Sequence, residues 1–195
     1  MQPFDTPDLD IEPHEAFELV IRELHSHAAT GRKNFVVRVP QDMVIYLFTG
    51  ILRKADLSKV VLERELSELG LYGFKDADGR ILRRYLSGET RMAWETYRRL
   101  VFWALTNKWI SDWVFRDLLL SANLREAAQH SARMLLNKVK RRVSLAELTR
   151  EQIIDCFKES YRQVLQEIEA LAVSRVGTDR DIRELARSLG LEFQD

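Results

Sequence analysis

The stretch that leaves the least conformational freedom begins at Thr149. Thr149 and Gln152 stand three apart, the pattern in which a threonine hydroxyl and a glutamine side chain each satisfy the other's backbone N–H at a helix start. Behind them Ile154, Phe157, Tyr161, Val164, Ile168 and Leu171 recur at spacings of three and four. Such spacing gathers the apolar side chains on one stripe of a helix and would scatter them over both faces of a strand. It predicts a helix from Arg150 to about Arg175, ended by Gly177. The stripe covers two and a half heptads. It has two natural partners: the chain's own core, or the same helix of a second copy. Ile154 to Leu171 is therefore a candidate dimer seam in a possible homodimer.

Little in the remaining chain interrupts helices. Eight glycines and four prolines in 195 residues favour long helices over turn-rich sheets. Pro13 suits a first helical turn, and Phe17, Val20, Ile21, Leu24 and Ala28 form a stripe that stops at Gly31. Pro40 opens a second helix through Ala55, apolar on most sides. Asp56 or Ser58 starts a third, with Val61, Leu62, Leu66 and Leu69 inward. Thr90 is placed to cap the helix from Trp94. Ser111 can cap another through Ser121, with Trp113, Val114, Leu118 and Leu119 available for packing. A break is expected before a further helix from Leu124 to Val139, and a last short one follows Thr178. Only FVVRV, residues 35 to 39, reads as a strand. A lone short strand is marginal, so it is an extended connector or half of an intermolecular pair.

The expected fold is all-α, a multi-helix bundle of about eight helices. Residues 1–12 read as a flexible acidic arm, 13–142 as a helical core and 143–195 as a C-terminal helical extension. The boundary falls between Lys138 and Leu148.

The functional clue is KDADGRILRRYLSGETRMAWETYRRLVFWAL, residues 75 to 105. Asp76 or Asp78 can cap a short helix. Within it Ile81, Leu82, Tyr85 and Leu86 share one side, and Arg80, Arg83, Arg84 and Ser87 the other. Gly88 stops the helix. Trp94, Tyr97, Leu100, Val101, Ala104 and Leu105 give the next helix its core side, with Arg91, Arg98 and Arg99 elsewhere. Within this stretch LRRYLSGETRMAWETYRRL resembles the end of a lambda-repressor-like helix-turn-helix domain. There a recognition helix ends in an aromatic–x–x–Gly pattern, followed by a polar turn and a packing helix. The matching residues are Tyr85 to Gly88, then Trp94 to Leu105. Ser58 to Leu69 stands where the family has its preceding helix. The linking LYGFKDADG is longer than the family's tight turn.

The resemblance implies a DNA-binding domain over about 58–105. Arg80, Arg83 and Arg84 would meet base edges or phosphates of duplex DNA, with Lys75, Ser87, Arg91 and Arg98 beside them. Charge distribution fits a local interaction. The chain is neutral in total, yet residues 75–99 hold seven basic and four acidic groups. Lys138, Lys140, Arg141 and Arg142 form a second basic patch, read either as a phosphate contact or as cations complementing a helix C-terminus.

Other chemistry finds no support in the residues. His25 and His27 stand two apart, about 200° on a helix, whereas a zinc pair takes three or four. Cys156 is the one cysteine, so no intrachain disulfide can form, and burial suits it better than reactivity. No nucleophile elbow, phosphate loop or dinucleotide fingerprint occurs. Neither a secretory start nor an apolar run near the ~20 residues of a membrane span is visible. The expectation is a cytoplasmic, non-catalytic DNA-binding protein without cofactor or metal, a transcriptional regulator or accessory factor. The alternative is a helical scaffold or adaptor working through the 150–175 helix.

Overall fold

Several helix ends among the described residues follow from local chemistry. The structure, a computed structural model, describes residues 11–68, 74, 80–140 and 147–174, with 139–140 and 169–174 described by backbone alone. Over these residues the fold is all-α: α1 (Pro13–Thr30), α2 (Gln41–Ala55), α3 (Lys59–Glu68), α4 (Arg80–Ser87), α5 (Trp94–Thr106), α6 (Asp112–Lys140) and α7 (Arg150–Ser174). None of the described helices is long and apolar enough to cross a membrane. The last expected helix, after Thr178, lies outside the described residues.

Several starts and stops follow the sequence reading. Pro13 takes the first position of α1, and Gly31 closes it at φ 60°. Ser58 starts α3, its Oγ accepting from the Val61 N–H at 3.3 Å. Asp56 instead stops α2 in the left-handed conformation, φ 53°. Thr149 and Gln152 cap α7 reciprocally, at 3.2 and 3.0 Å. Thr90 does not cap α5. That helix begins behind Ala93, while the Thr90 N–H turns back to the Arg84 carbonyl at 3.2 Å. The expected break before Leu124 is also missing, and α6 runs unbroken. Ser121 to Leu124 contain neither glycine nor proline, and Ala122 and Asn123 are buried, so nothing forces the backbone out of its ladder. Residues 35–39 are a connector and not a strand. Val39 is buried and its N–H donates to the Met92 carbonyl at 3.0 Å.

The chain divides into two compact units, one of Met1–Val37 with Asn123–Asp195, the other of Arg38–Ala122. This corrects the expected division into 13–142 and 143–195. The stripe of α7 packs on the stripe of α1, so the first and last described helices share a core.

In the first unit Val20 and Leu24 of α1 and Phe157, Val164 and Ile168 of α7 close over Ala127, Ala128 and Ala132 of α6. Buried Ser131 and Ser160 join α6 to α7, oxygen to oxygen at 2.9 Å, and Ser131 Oγ also lies 2.8 Å from the Ala127 carbonyl. Such pairing is what allows hydroxyls inside an apolar core. At the bundle's edge the Arg150 guanidinium stands 5.4 Å from the Phe17 ring centre, a cation–π contact.

The candidate dimer seam is thus the inner face of α7, and this is a correction. Phe157, Val164 and Ile168 are buried, Tyr161 packs against the same core, and Ile154 is half-buried. The Leu171 side chain lies outside the described residues. A second copy would have to displace contacts that α1 and α6 make without losing the freedom of a separate molecule.

In the second unit α4 packs against α2 and α3, and α2 also against α5. Phe48, Phe74 and Tyr85 form an aromatic run, with ring centres 6.4 and 5.7 Å apart. Phe102 of α5 meets Phe115 of α6 edge-on. One expectation for α2 changes: Ile45 and Tyr46 are exposed, so this helix is buried on one side rather than most.

Phe157→Ala should cost about 3–5 kcal/mol, the range for emptying a buried aromatic site. The drop is read as a lower urea midpoint. Arg162→Ala, which removes an exposed ion pair with Glu159, should change stability by less than about 1 kcal/mol. A pH dependence is also built in. Burial pushes the Cys156 thiol above its ordinary 9.0, against lowering by Lys138 and the Ser131 hydrogen bond. Stability tied to the neutral thiol is therefore complete below the unfolded value and lost as pH rises through the raised folded one. Urea titrations at about pH 8 and about pH 10 should show a larger decline for the wild type than for Cys156→Ala.

Candidate nucleic-acid interface

An eight-residue helix is too short to hold itself together in water. Every unpaired group at its ends needs a partner. In α4 those partners come from other helices. At its start, the Ile81 and Leu82 N–H groups donate to Glu63 Oε1 and Oε2 at 3.2 and 3.0 Å. Glu63 sits on α3 and is 0 % exposed. A carboxylate at a helix N-terminus accepts charge-assisted hydrogen bonds and opposes the positive end of the helix dipole. At the other end, Gln41 Nε2 donates to the carbonyls of Tyr85 and Leu86, both at 2.8 Å. Thr90 N–H covers the Arg84 carbonyl. The same short helix is therefore gripped from α3 at one end and from α2 at the other.

Gly88 completes the stop. Its φ is 76°, and an added Cβ would come within 3.2 Å of the Gln41 amide. Glycine is needed here for both conformation and close approach. Leu82 and Tyr85 point inward, as the spacing predicted.

The predicted site residues separate. Arg80 and Arg83 are exposed on the outer arc of α4, and Arg91 is exposed beyond the stop. Arg84 shares that arc but leans on Glu89, Nε to Oε1 3.1 Å. Ser87 is exposed, but its Oγ lies 3.2 Å from the Arg84 carbonyl and accepts from the Glu89 N–H at 3.5 Å. It serves the helix end. Arg98 is a correction. It is 5 % exposed, so it cannot meet a ligand on the surface. Trp94, Tyr97, Leu100 and Val101 are buried around it on α5. Position 98 lies one turn from both Trp94 and Val101 and is carried inward with them.

Lys75, Asp76 and Asp78 lie outside the described residues, as do Arg141 and Arg142. Of the second basic patch, Lys138 is exposed on α6, and the Lys140 side chain is not described. Among the described residues no group of His, Cys, Asp and Glu could hold a metal ion.

Two residues of this site escaped the sequence reading. Glu63 carried a usable signal. It follows Leu62 and stands one turn before Leu66, within the apolar stripe of α3, where a carboxylate implies a buried partner. Gln41 carried none, because its acceptors are 44 and 45 residues away.

The second unit holds fourteen basic and eleven acidic residues, and one of those acids, Glu63, is buried beneath α4. The outer arc can offer guanidinium groups to phosphates or to guanine edges. Compared with models of protein families, with curated proteins and with solved structures, the chain has no match in any of the three.

Removing the Glu63 grip should free α4 first. Glu63→Ala leaves two inward-facing N–H groups without acceptors, a loss of about 2 kcal/mol. Hydrogen exchange at Ile81 and Leu82 should quicken, while amides in the middle of α5 stay protected.

Proposed function

We propose that this protein binds duplex DNA through α4, as a non-catalytic regulator or accessory DNA-binding factor. The observation that carries the reading is the pair of side-chain grips on α4. They make a short helix rigid while its arginine arc faces solvent. Rigid presentation matters, because a base edge or phosphate is recognised only by donors held in place. Arg80 and Arg83 are the principal contacts, and Arg91 reaches the backbone beyond the stop. Arg84 divides its charge between Glu89 and the ligand. α3 precedes α4 in the unit, the helix order of a helix-turn-helix, while the linking LYGFKDADG is longer than that family's tight turn.

The test is fluorescence anisotropy on random-sequence duplex at low and moderate salt. Wild-type affinity should fall as salt rises, because phosphate contacts release counterions. Arg80→Glu with Arg83→Glu should weaken binding at least about tenfold and flatten the salt slope by about one per lost phosphate contact. Arg22→Glu, an exposed change in the other unit, should leave binding intact. Absence of wild-type binding at low salt, or equal loss from Arg22→Glu, would overturn the reading. Arg98→Glu is unsuitable as a probe, since it would disturb the core.

A further inference from the structure

The opening turns of α6, residues 112–122, have two unlike sides. Phe115, Leu118, Leu119 and Ala122 are buried. Opposite them Trp113 is 74 % exposed and Leu120 is 52 % exposed, with Arg116 and Asp117 exposed between them. At 100° per residue these four occupy an arc of about 100°. A single exposed leucine needs no cause. A tryptophan open to water, with a leucine two turns along the same arc and opposite charges between, does.

The order along the arc is apolar, positive, negative, apolar. Turned end for end about a two-fold axis between Arg116 and Asp117, it matches itself. Trp113 then lies opposite Leu120 of the other molecule, and Arg116 opposite Asp117. Contacts of this isologous kind are what a two-fold dimer requires. A parallel pairing would set Arg116 against Arg116. We propose that this arc of α6 is a self-association surface, on which a second copy of the chain docks antiparallel. Two helical turns bury well under the roughly 1,200 Å² of a stable complex. The dimer is accordingly weak, with a Kd on the order of tens of micromolar. The proposal stands apart from DNA binding and is tested without DNA.

Sedimentation velocity over about 5 to about 500 µM brackets that affinity. Wild-type protein should show reversible dimerisation, and Trp113→Ser should weaken it at least tenfold. Arg116→Asp and Asp117→Arg each place like charges across the axis, and each alone should stay monomeric. Mixed in equal amounts, the two variants should pair with each other, since every facing charge is then opposite. Circular dichroism checks that all three exposed substitutions leave the helices intact. A wild type that remains monomeric throughout overturns the proposal, including the case in which Trp113 serves some other partner. So does a mixture no more associated than its components.

Discussion

The buried carboxylate of Glu63 and the amide of Gln41 hold the second unit's smallest helix in place. Neither contact is strong by the standard of a hydrophobic core. Each is placed where the alternative is costly, because an orphan N–H or carbonyl beneath packed side chains forfeits its bond to water without replacement. The four hydrogen bonds of these two grips convert eight residues that could not nucleate a helix alone into a fixed element. They also set its orientation. With both ends tied to α2 and α3, the side carrying Leu82 and Tyr85 must face the aromatic run, and the arginine side must face away.

The same constraint explains the glycine. A helix this short cannot fray by a turn and keep its shape, so its stop has to be sharp. Gly88 supplies the left-handed turn and leaves room for Gln41, and Ser87 and Thr90 close the remaining carbonyl of Arg84. Polar residues that the sequence offered as ligand contacts are in part the mechanics of ending a helix. Ser87 is the clearest case, and Arg84 with its Glu89 partner is half of another.

Local chemistry was legible in the sequence and distant chemistry was not. The capping box at Thr149 and Gln152, the proline at α1 and the inward Tyr85 depend on neighbours within a few residues, and all were readable. The Gln41 grip depends on a chain closure of more than forty residues, and no spacing rule reaches that far. Arg98 shows a different limit. Type suggested a surface cation, while its register with Trp94 and Val101 placed it inside, and register prevailed. The α7 stripe was legible as a stripe. What it could not name was its partner, since a heptad pattern is the same whether α1 or a second molecule fills the groove.

The outward arcs of α4 and α6 make that last ambiguity physical. Both have the same i, i+3, i+4, i+7 spacing, at 80, 83, 84, 87 and at 113, 116, 117, 120. Geometry alone cannot tell them apart, but charge can. Three arginines on one arc repel a second copy of that arc and attract a polyanion. One arginine beside one aspartate, flanked by tryptophan and leucine, has no net charge with which to attract a polyanion and is complementary to its own reverse. Each arc is therefore poorly suited to the other's partner. Within one unit of 85 residues, Arg38–Ala122, the two proposed surfaces, for nucleic acid and for self-association, draw on different side chains.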